Sequence, residues 1–160
     1  MTKSKDAKKK SSIKIVCQNR KSHFDYQIQE KFEAGMQLTG SEVKSLRNGK
    51  ANLTNAYADI RGQEVFLLQA HIEPYEKGGY ANHEPDRKRK LLLHREEIEK
   101  LIVKVKTKGL TLVPIKIYFK NGYAKIELGL GAGKKTHDKR TTIKEREVKR
   151  DMQRSMKKFK

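Results

Sequence analysis

Between residues 24 and 130 apolar and polar positions alternate in short runs, and only two stretches of that span switch to a helical spacing. Phe24-Asp25-Tyr26-Gln27-Ile28-Gln29 has the two-residue period of a strand. Glu33-Ala34-Gly35 interrupts the alternation and Met36-Gln37-Leu38 resumes it. Ser41 then reads as a helix N-cap and Gly49 as the residue beyond the helix end, with Val43 and Leu46 forming one small apolar face. Two strands, 57–60 and 65–68, follow on either side of the turn Arg61-Gly62-Gln63-Glu64. Residues 76–90 are a polar, Gly- and Lys-rich connection broken by Gly78-Gly79 and Pro85.

The clearest helix covers 95–107, where Ile98, Leu101, Ile102 and Val105 fall at i, i+3, i+4 and i+7. Glutamates lie toward its start and lysines toward its end, which suits the helix dipole, and Gly109 closes it. Strands 110–118 and 123–130 come next, joined by Asn121-Gly122, the strongest short hairpin signal. The pattern predicts about six short strands and two helices. That is a mainly β fold with embedded helices, best closed as a small antiparallel barrel.

The two ends differ from this body. Residues 1–12 are Lys- and Ser-rich with almost nothing apolar, and they are expected to be a disordered basic arm. Residues 13–130 form the expected domain and 131–160 a basic tail. From 143 onward there is no Pro or Gly, and Val148, Met152, Met156 and Phe159 make one narrow apolar stripe on a cationic helix. Such a helix can pack on the body, lie on a membrane surface, or fold as it docks on RNA. The thin stripe and dense charge favour an arm that is disordered when free and helical on its RNA target.

Charge sharpens the picture. Lys and Arg number 38 against 19 Asp and Glu, a net +19 with a pI near 10.0. Residues 1–14 and 131–160 together carry +13 of that total. A chain so charged repels itself unless a polyanion neutralises it, and nucleic acid is the natural partner. No apolar run approaches the roughly 18 residues that span a bilayer, so no membrane partner is expected. The N-terminal lysines precede no apolar segment of the kind a secretory signal needs. Cys17 is the sole cysteine and cannot form an internal disulfide, which suits the reducing cytoplasm.

Candidate chemistry is thin. Gly129-Leu130-Gly131-Ala132-Gly133-Lys134-Lys135-Thr136 misses the phosphate-loop spacing, because Leu128 stands where its first glycine belongs and Lys135 where its hydroxyl belongs. A flexible hinge after the last strand is the preferred reading. His137-Asp138 lies in a polar, basic run with nothing apolar to desolvate or orient the imidazole. Cys17, His23, His71, His83 and His94 show no metal-ligand spacing, and no paired carboxylates stand out. No catalytic residue, metal, cofactor or small-molecule substrate is therefore expected, and the chain reads as a binding protein rather than an enzyme. Arg87-Lys88-Arg89-Lys90 reads equally as a solvated charge run or a phosphate clamp.

Several longer motifs remain. They are Asn19-Arg20-Lys21, Tyr26-Gln27-Ile28, Phe32-Glu33-Ala34-Gly35 and Gly40-Ser41-Glu42-Val43-Lys44-Ser45-Leu46-Arg47. Lys50-Ala51-Asn52-Leu53, Arg89-Lys90-Leu91-Leu92-Leu93, Gly133-Lys134-Lys135-Thr136-His137-Asp138-Lys139-Arg140 and Ile143-Lys144-Glu145-Arg146-Glu147 follow. In this order, over about residues 13–160, they resemble the bacterial SsrA-binding protein family. The resemblance implies an antiparallel barrel of the oligonucleotide-binding type. It implies binding to the tRNA-like domain of transfer-messenger RNA and delivery of that RNA to stalled ribosomes for trans-translation. The protein would stand where a tRNA has its anticodon arm, with the tail entering the empty mRNA channel.

By the same resemblance Glu33, Ser41, Glu42, Lys44, Ser45, Arg47 and Asn52 belong to the RNA-binding face, which Asn19, Arg20 and Lys21 extend. Gly133, Lys134, Lys135, His137, Asp138, Lys139 and Arg140 would act in the ribosome, against rRNA of the decoding region and the mRNA channel. Lys44 and Arg47, three apart, share one side of their helix. Asn52 can read a base edge or a sugar. Glu33 either accepts from a base amino group or 2′-OH, or orients neighbouring cations. His137 is expected to stack on an rRNA base while Lys139 and Arg140 meet phosphates. A structural ribosomal protein, or a ribonuclease using His137 or His94, would share some of these features.

Overall fold

Asn121 and Gly122 both adopt positive φ, 53° and 83°, as a tight hairpin turn between two right-twisted strands requires. The computed structural model describes residues 13–158, and this hairpin is its spine. The expected arm at 1–12, and Phe159 of the tail stripe, lie outside the described residues. Strands β1 (Ile13–Gln18), β2 (Tyr26–Met36), β3 (Ala51–Asn52), β4 (Tyr57–Arg61) and β5 (Glu64–Leu68) come first. After them come β6 (His71–Ile72), β7 (Arg89–Leu92), β8 (Thr111–Lys120) and β9 (Tyr123–Gly133). The helices are α1 (Ser22–Asp25), α2 (Gly40–Arg47), α3 (Arg95–Lys108) and α4 (Thr136–Lys158). The chain is mainly β with a few helices.

Every ladder is antiparallel. The hairpin pairs β8 with β9 from Lys120 opposite Tyr123 to Thr111 opposite Gly131, with a bulge between Pro114 and Lys116. The other edge of β9 takes β2, from Tyr26 opposite Gly133 to Gly35 opposite Lys125. Beyond Gly35 the strand β2 passes to β7, which pairs with β5, which forms a hairpin with β4. Ala58 of β4 then meets Leu112 of β8, so the pairings return to the hairpin where they began. β1 occupies the rest of that β8 edge, and β3 with β6 makes a separate two-stranded ladder.

The inward positions of these strands supply the core: Val65, Leu67, Leu91, Leu112, Ile117, Ile126, Leu128 and Leu130. Leu46 of α2 and Leu101 of α3 seal it, with Ile98 and Val105 packed partly buried against it. α3 opens with the His94 amide donating to Glu97 Oε2 at 3.0 Å and ends at Gly109 in the left-handed conformation, φ 58°.

The structure departs from the sequence expectations in several places. Ser22–Asp25 is one helical turn rather than the start of a strand, because its amides turn back to the Lys21 carbonyl. β1, β3, β6 and β7 have no counterpart among the expected strands, and Ile13 and Ile15 of β1 stay more than half exposed. Residues 33–35 do not break β2. Gly35 lets β7 approach, since a Cβ there would stand 3.3 Å from Leu92 Cβ. The cap of α2 is Thr39, not Ser41: the Thr39 amide donates to Glu42 Oε2 at 2.8 Å.

The expected hinge at 129–133 is ordered strand. A Cβ on Gly131 would lie 2.3 Å from the Gln27 carbonyl oxygen, and one on Gly129 would lie 2.8 Å from Ile28 Cδ1. These glycines exist for close approach of β2 rather than for flexibility. β9 runs on to Gly133, and α4 starts three residues later with Val148, Met152 and Met156 exposed. Among the described residues no helix is long and apolar enough to cross a membrane.

Gly131→Ala must displace backbone, so it should cost about 2 kcal/mol, within the range for overpacking. Gly133→Ala, with nothing within 4 Å of its added carbon, should stay within about 0.5 kcal/mol. Urea unfolding midpoints at unchanged slope check both.

Candidate nucleic-acid interface

The face built on α2 begins with a carboxylate that never reaches it. Glu42 is fully buried. Its Oε1 accepts from Arg87 Nε and Arg89 Nε, both at 2.8 Å. Its Oε2 accepts from Arg87 Nη2 at 2.6 Å and from the Thr39 amide. Arg89, also fully buried, spends its other N–H groups on the carbonyls of Ala70 (2.6 Å), Arg87 (3.0 Å) and Pro85 (2.8 Å). Burial alone would raise the Glu42 pKa. The Arg87 hydrogen bonds, the Thr39 amide and Arg89 outweigh it and hold the carboxyl below its ordinary value.

The run Arg87–Lys90 is thus only partly solvated. Arg87 and Arg89 turn inward, Lys88 lies 5.5 Å from the Phe66 ring centre, and Lys90 pairs with Glu64. Two more of the residues assigned to the face are also internal. Ser45 is buried and donates to the Glu73 carbonyl at 2.6 Å. Asn19 is buried, donates from Nδ2 to the Pro114 carbonyl at 3.3 Å and accepts the Lys21 amide at 3.1 Å. Glu42, Ser45 and Asn19 are buried and bonded to protein partners.

What α2 does present is Lys44 and Arg47, both exposed. The Lys44 ammonium stands 5.3 Å from the Tyr75 ring centre. Ser41 is half-buried with its Oγ 2.9 Å from His83 Nδ1. His83 Nε2 lies 3.0 Å from the Ile72 carbonyl, which can only accept, so Nε2 carries a proton. Arg20 and Lys21 are exposed beside Asn19. Asn52 is exposed, and its Oδ1 accepts from both the Thr54 amide (2.8 Å) and hydroxyl (2.6 Å).

Glu33 sits on the outer side of β2, where the Tyr118 hydroxyl and Lys120 Nζ both donate to it. Those bonds, Tyr118 first, hold its carboxyl below the usual range. Burial and the Glu33 carboxylate in turn raise the Tyr118 phenol. Lys31 and Lys116 flank Glu127 close by, at 3.1 and 2.9 Å. Nothing in the sequence singled out Tyr118 or Lys120, because cross-strand neighbours are set by register.

The tail residues gather around α1. The Lys134 amide donates to the Asp25 carbonyl at 2.8 Å and its Nζ to the His23 carbonyl at 3.1 Å. Lys139 Nζ pairs with Asp25 Oδ1 at 2.8 Å and stands 5.8 Å from the Phe24 ring centre. Asp138 Oδ2 accepts the Lys135 amide at 3.3 Å. Gly133, Lys135, His137 and Arg140 are exposed. Asn19–Lys21 lead directly into α1 and so lie beside this root. Glu33, seven residues along β2 from Tyr26, lies roughly 23 Å away by strand rise. Glu33 therefore stands apart from Asn19–Lys21.

Among the described residues no three of His, Cys, Asp and Glu converge as a metal-ion set. Burial pushes the Cys17 thiol up to about 11.

Against known proteins, the family model described as SmpB protein matches residues 16–158. The SsrA-binding protein of Nostoc sp. (strain PCC 7120) is 56% identical over 152 residues, spanning 94% of this chain and 98% of its own. That of Desulfitobacterium hafniense (strain DCB-2) is 57% identical over 142 residues, spanning 89% and 91%. A solved structure described as "tmRNA-SmpB: a journey to the center of the bacterial ribosome" contains a chain 55% identical to this one. It superposes with a TM-score of 0.63 over 75% of this chain and 85% of that one.

Glu42→Gln removes the charge that compensates buried Arg89, and should cost about 3–5 kcal/mol at neutral pH. Because the folded pKa of Glu42 is depressed, its contribution is complete above the ordinary value of 4.5 and is lost as pH falls through the lowered one. Urea unfolding from pH 7 to pH 3 should therefore show wild type and Glu42→Gln converging below about pH 4.5.

Proposed function

The chain belongs to the SmpB protein family, and from that premise we propose that it binds transfer-messenger RNA, the SsrA RNA, and delivers it to stalled ribosomes for trans-translation. The observation that carries this is identity above one half with SsrA-binding proteins across nearly the whole of both chains. The pairing ring from β8 through β4, β5, β7 and β2 to β9 supports a closed antiparallel barrel of the oligonucleotide-binding type. Such a barrel gives a rigid curved platform with the anticodon arm's place to fill.

On that platform two cationic regions divide the work. Lys44 and Arg47, with Arg20 and Lys21, meet phosphates of transfer-messenger RNA. Glu33 acts through Lys120 and Tyr118, orienting them rather than touching RNA. The tail, rooted at Asp25 by Lys134 and Lys139, projects exposed Lys135, His137 and Arg140 toward rRNA of the decoding region, with α4 entering the mRNA channel. Domain 13–130 with its tail works in the cytoplasm as an adaptor, without a reaction of its own, a cofactor or a small-molecule substrate.

Charge alone binds any RNA, so the test is selectivity at about 150 mM salt, where non-specific contacts are screened. The purified chain should bind transfer-messenger RNA roughly a hundredfold or more tighter than an unrelated structured RNA of equal length. Equal binding to both would replace the adaptor by a general RNA-coating or structural ribosomal role.

A further inference from the structure

The tail helix leaves the body with little to hold it. In α4 only Lys139 and Thr142 are partly buried, and every residue from Ile143 to Lys157 is exposed. The Thr142 hydroxyl is spent within the helix, on the Asp138 carbonyl at 2.9 Å. Among the described residues, the bond from Lys139 Nζ to Asp25 Oδ1 at 2.8 Å is the one side-chain hydrogen bond from α4 to the body.

What precedes the helix is better fixed. Gly133 pairs with Tyr26 at the end of the β2–β9 ladder, and the Lys134 amide adds one more bond, to the Asp25 carbonyl. Between that bond and Thr136, where α4 begins, stands Lys135. Its amide is taken by Asp138 Oδ2, which caps the first turn of α4 but ties the helix to its own leader. A helix of 23 residues is about 34 Å long, so a tilt of about 10° at its root moves the far end by roughly 6 Å.

The ion pair stands where it can suppress that tilt. Asp25 closes α1, and α1 is itself anchored. Buried Ser22 donates its hydroxyl to the Asn19 carbonyl at 2.8 Å, and the Phe24 and Asp25 amides turn back to the Lys21 carbonyl. The Lys139 ammonium also lies 5.8 Å from the Phe24 ring centre. One helical turn thus offers the ammonium a carboxylate and a ring together. The cations on either side differ: Lys135 and Arg140 are exposed and their side chains have no partner among the described residues. The sequence reading gave Lys139 a phosphate, whereas the structure gives it a carboxylate 114 positions away.

We propose that Asp25 and Lys139 are positioning residues for ribosome rescue: their ion pair sets the direction in which α4 leaves the body. Lys135, His137 and Arg140 are thereby aimed at the RNA of the decoding region, and the part Lys139 plays is its bond to Asp25 rather than a bond to phosphate. The inference rests on the ribosomal role of the tail proposed above.

A charge exchange separates the two roles. Tagging of nascent chains on stalled ribosomes, at limiting protein, is compared for the full chain, Asp25→Lys, Lys139→Asp and the double exchange Asp25→Lys/Lys139→Asp. Affinity for transfer-messenger RNA and urea unfolding midpoints are measured on the same preparations. Each single reversal should lower tagging at least fivefold while affinity for transfer-messenger RNA stays within threefold. The double exchange restores the pair with opposite polarity and should return tagging to within threefold of wild type. Asp25→Asn keeps the shape of the side chain and removes only its charge; it should lower tagging at least twofold, and it carries the test if a reversal does not fold. If Lys139 served a phosphate instead, Asp25→Lys and Asp25→Asn would tag like wild type, and the double exchange would stay as impaired as Lys139→Asp. Either result overturns the positioning role while the ribosomal role of the tail stands. Wild type that supports no tagging overturns that role and this inference with it.

Discussion

One buried carboxylate orders this surface. Glu42 lies on α2, Arg87 in the loop before β7, Arg89 within β7, and the carbonyls of Ala70 and Pro85 complete the arginine's bonds. Taking such ions out of water costs several kcal/mol each, and only full satisfaction offsets it. Among the described residues no buried side-chain polar atom lacks a partner. The cluster fixes the rotation of α2 about its axis. With Glu42, Ser45 and Leu46 turned inward, helical geometry leaves Lys44 and Arg47 facing out. A fully buried residue thereby decides which cations α2 turns to solvent.

The same logic recurs at lower stakes on the surface. Glu33 with Lys120, Glu127 with Lys31 and Lys116, and Asp25 with Lys139 are all partly exposed pairs. Each is worth no more than about 1 kcal/mol. Their contribution is placement: a long cation tethered to a strand or helix has fewer orientations to lose when phosphate arrives. In a chain whose excess charge is concentrated at its ends, these pairs give the body defined cationic positions where charge alone would give a cloud.

Much of this was legible in the sequence. Asn121-Gly122 announced the central hairpin, and the i, i+3, i+4, i+7 spacing with ordered end charges announced α3. The cap of α2 was misplaced although Thr39-Gly40-Ser41-Glu42 carries the capping-box spacing, because Ser41 competes as a cap on type alone. Gly129 and Gly131 looked like a hinge because a sequence does not show that Gln27 and Ile28 of β2 press against them. The site was legible as motifs but not as roles. Glu42, Ser45 and Asn19 share their motifs with Lys44, Arg47 and Lys21, and only burial separates the residues that build the face from those that present it. Tyr118 and Lys120 depend on strand register, which no local pattern encodes.

The account assigns RNA selectivity to the body and ribosomal action to the tail rooted on Asp25. The most direct measurement is tagging of nascent chains on stalled ribosomes by a chain ending at Lys135, with its preference for transfer-messenger RNA over unrelated RNA measured in the same preparation. The account predicts that the preference persists within about threefold of the full chain while tagging is lost, since removing tail charge weakens all RNA binding alike. Loss of the preference together with tagging, or tagging that survives, would contradict the division between body and tail.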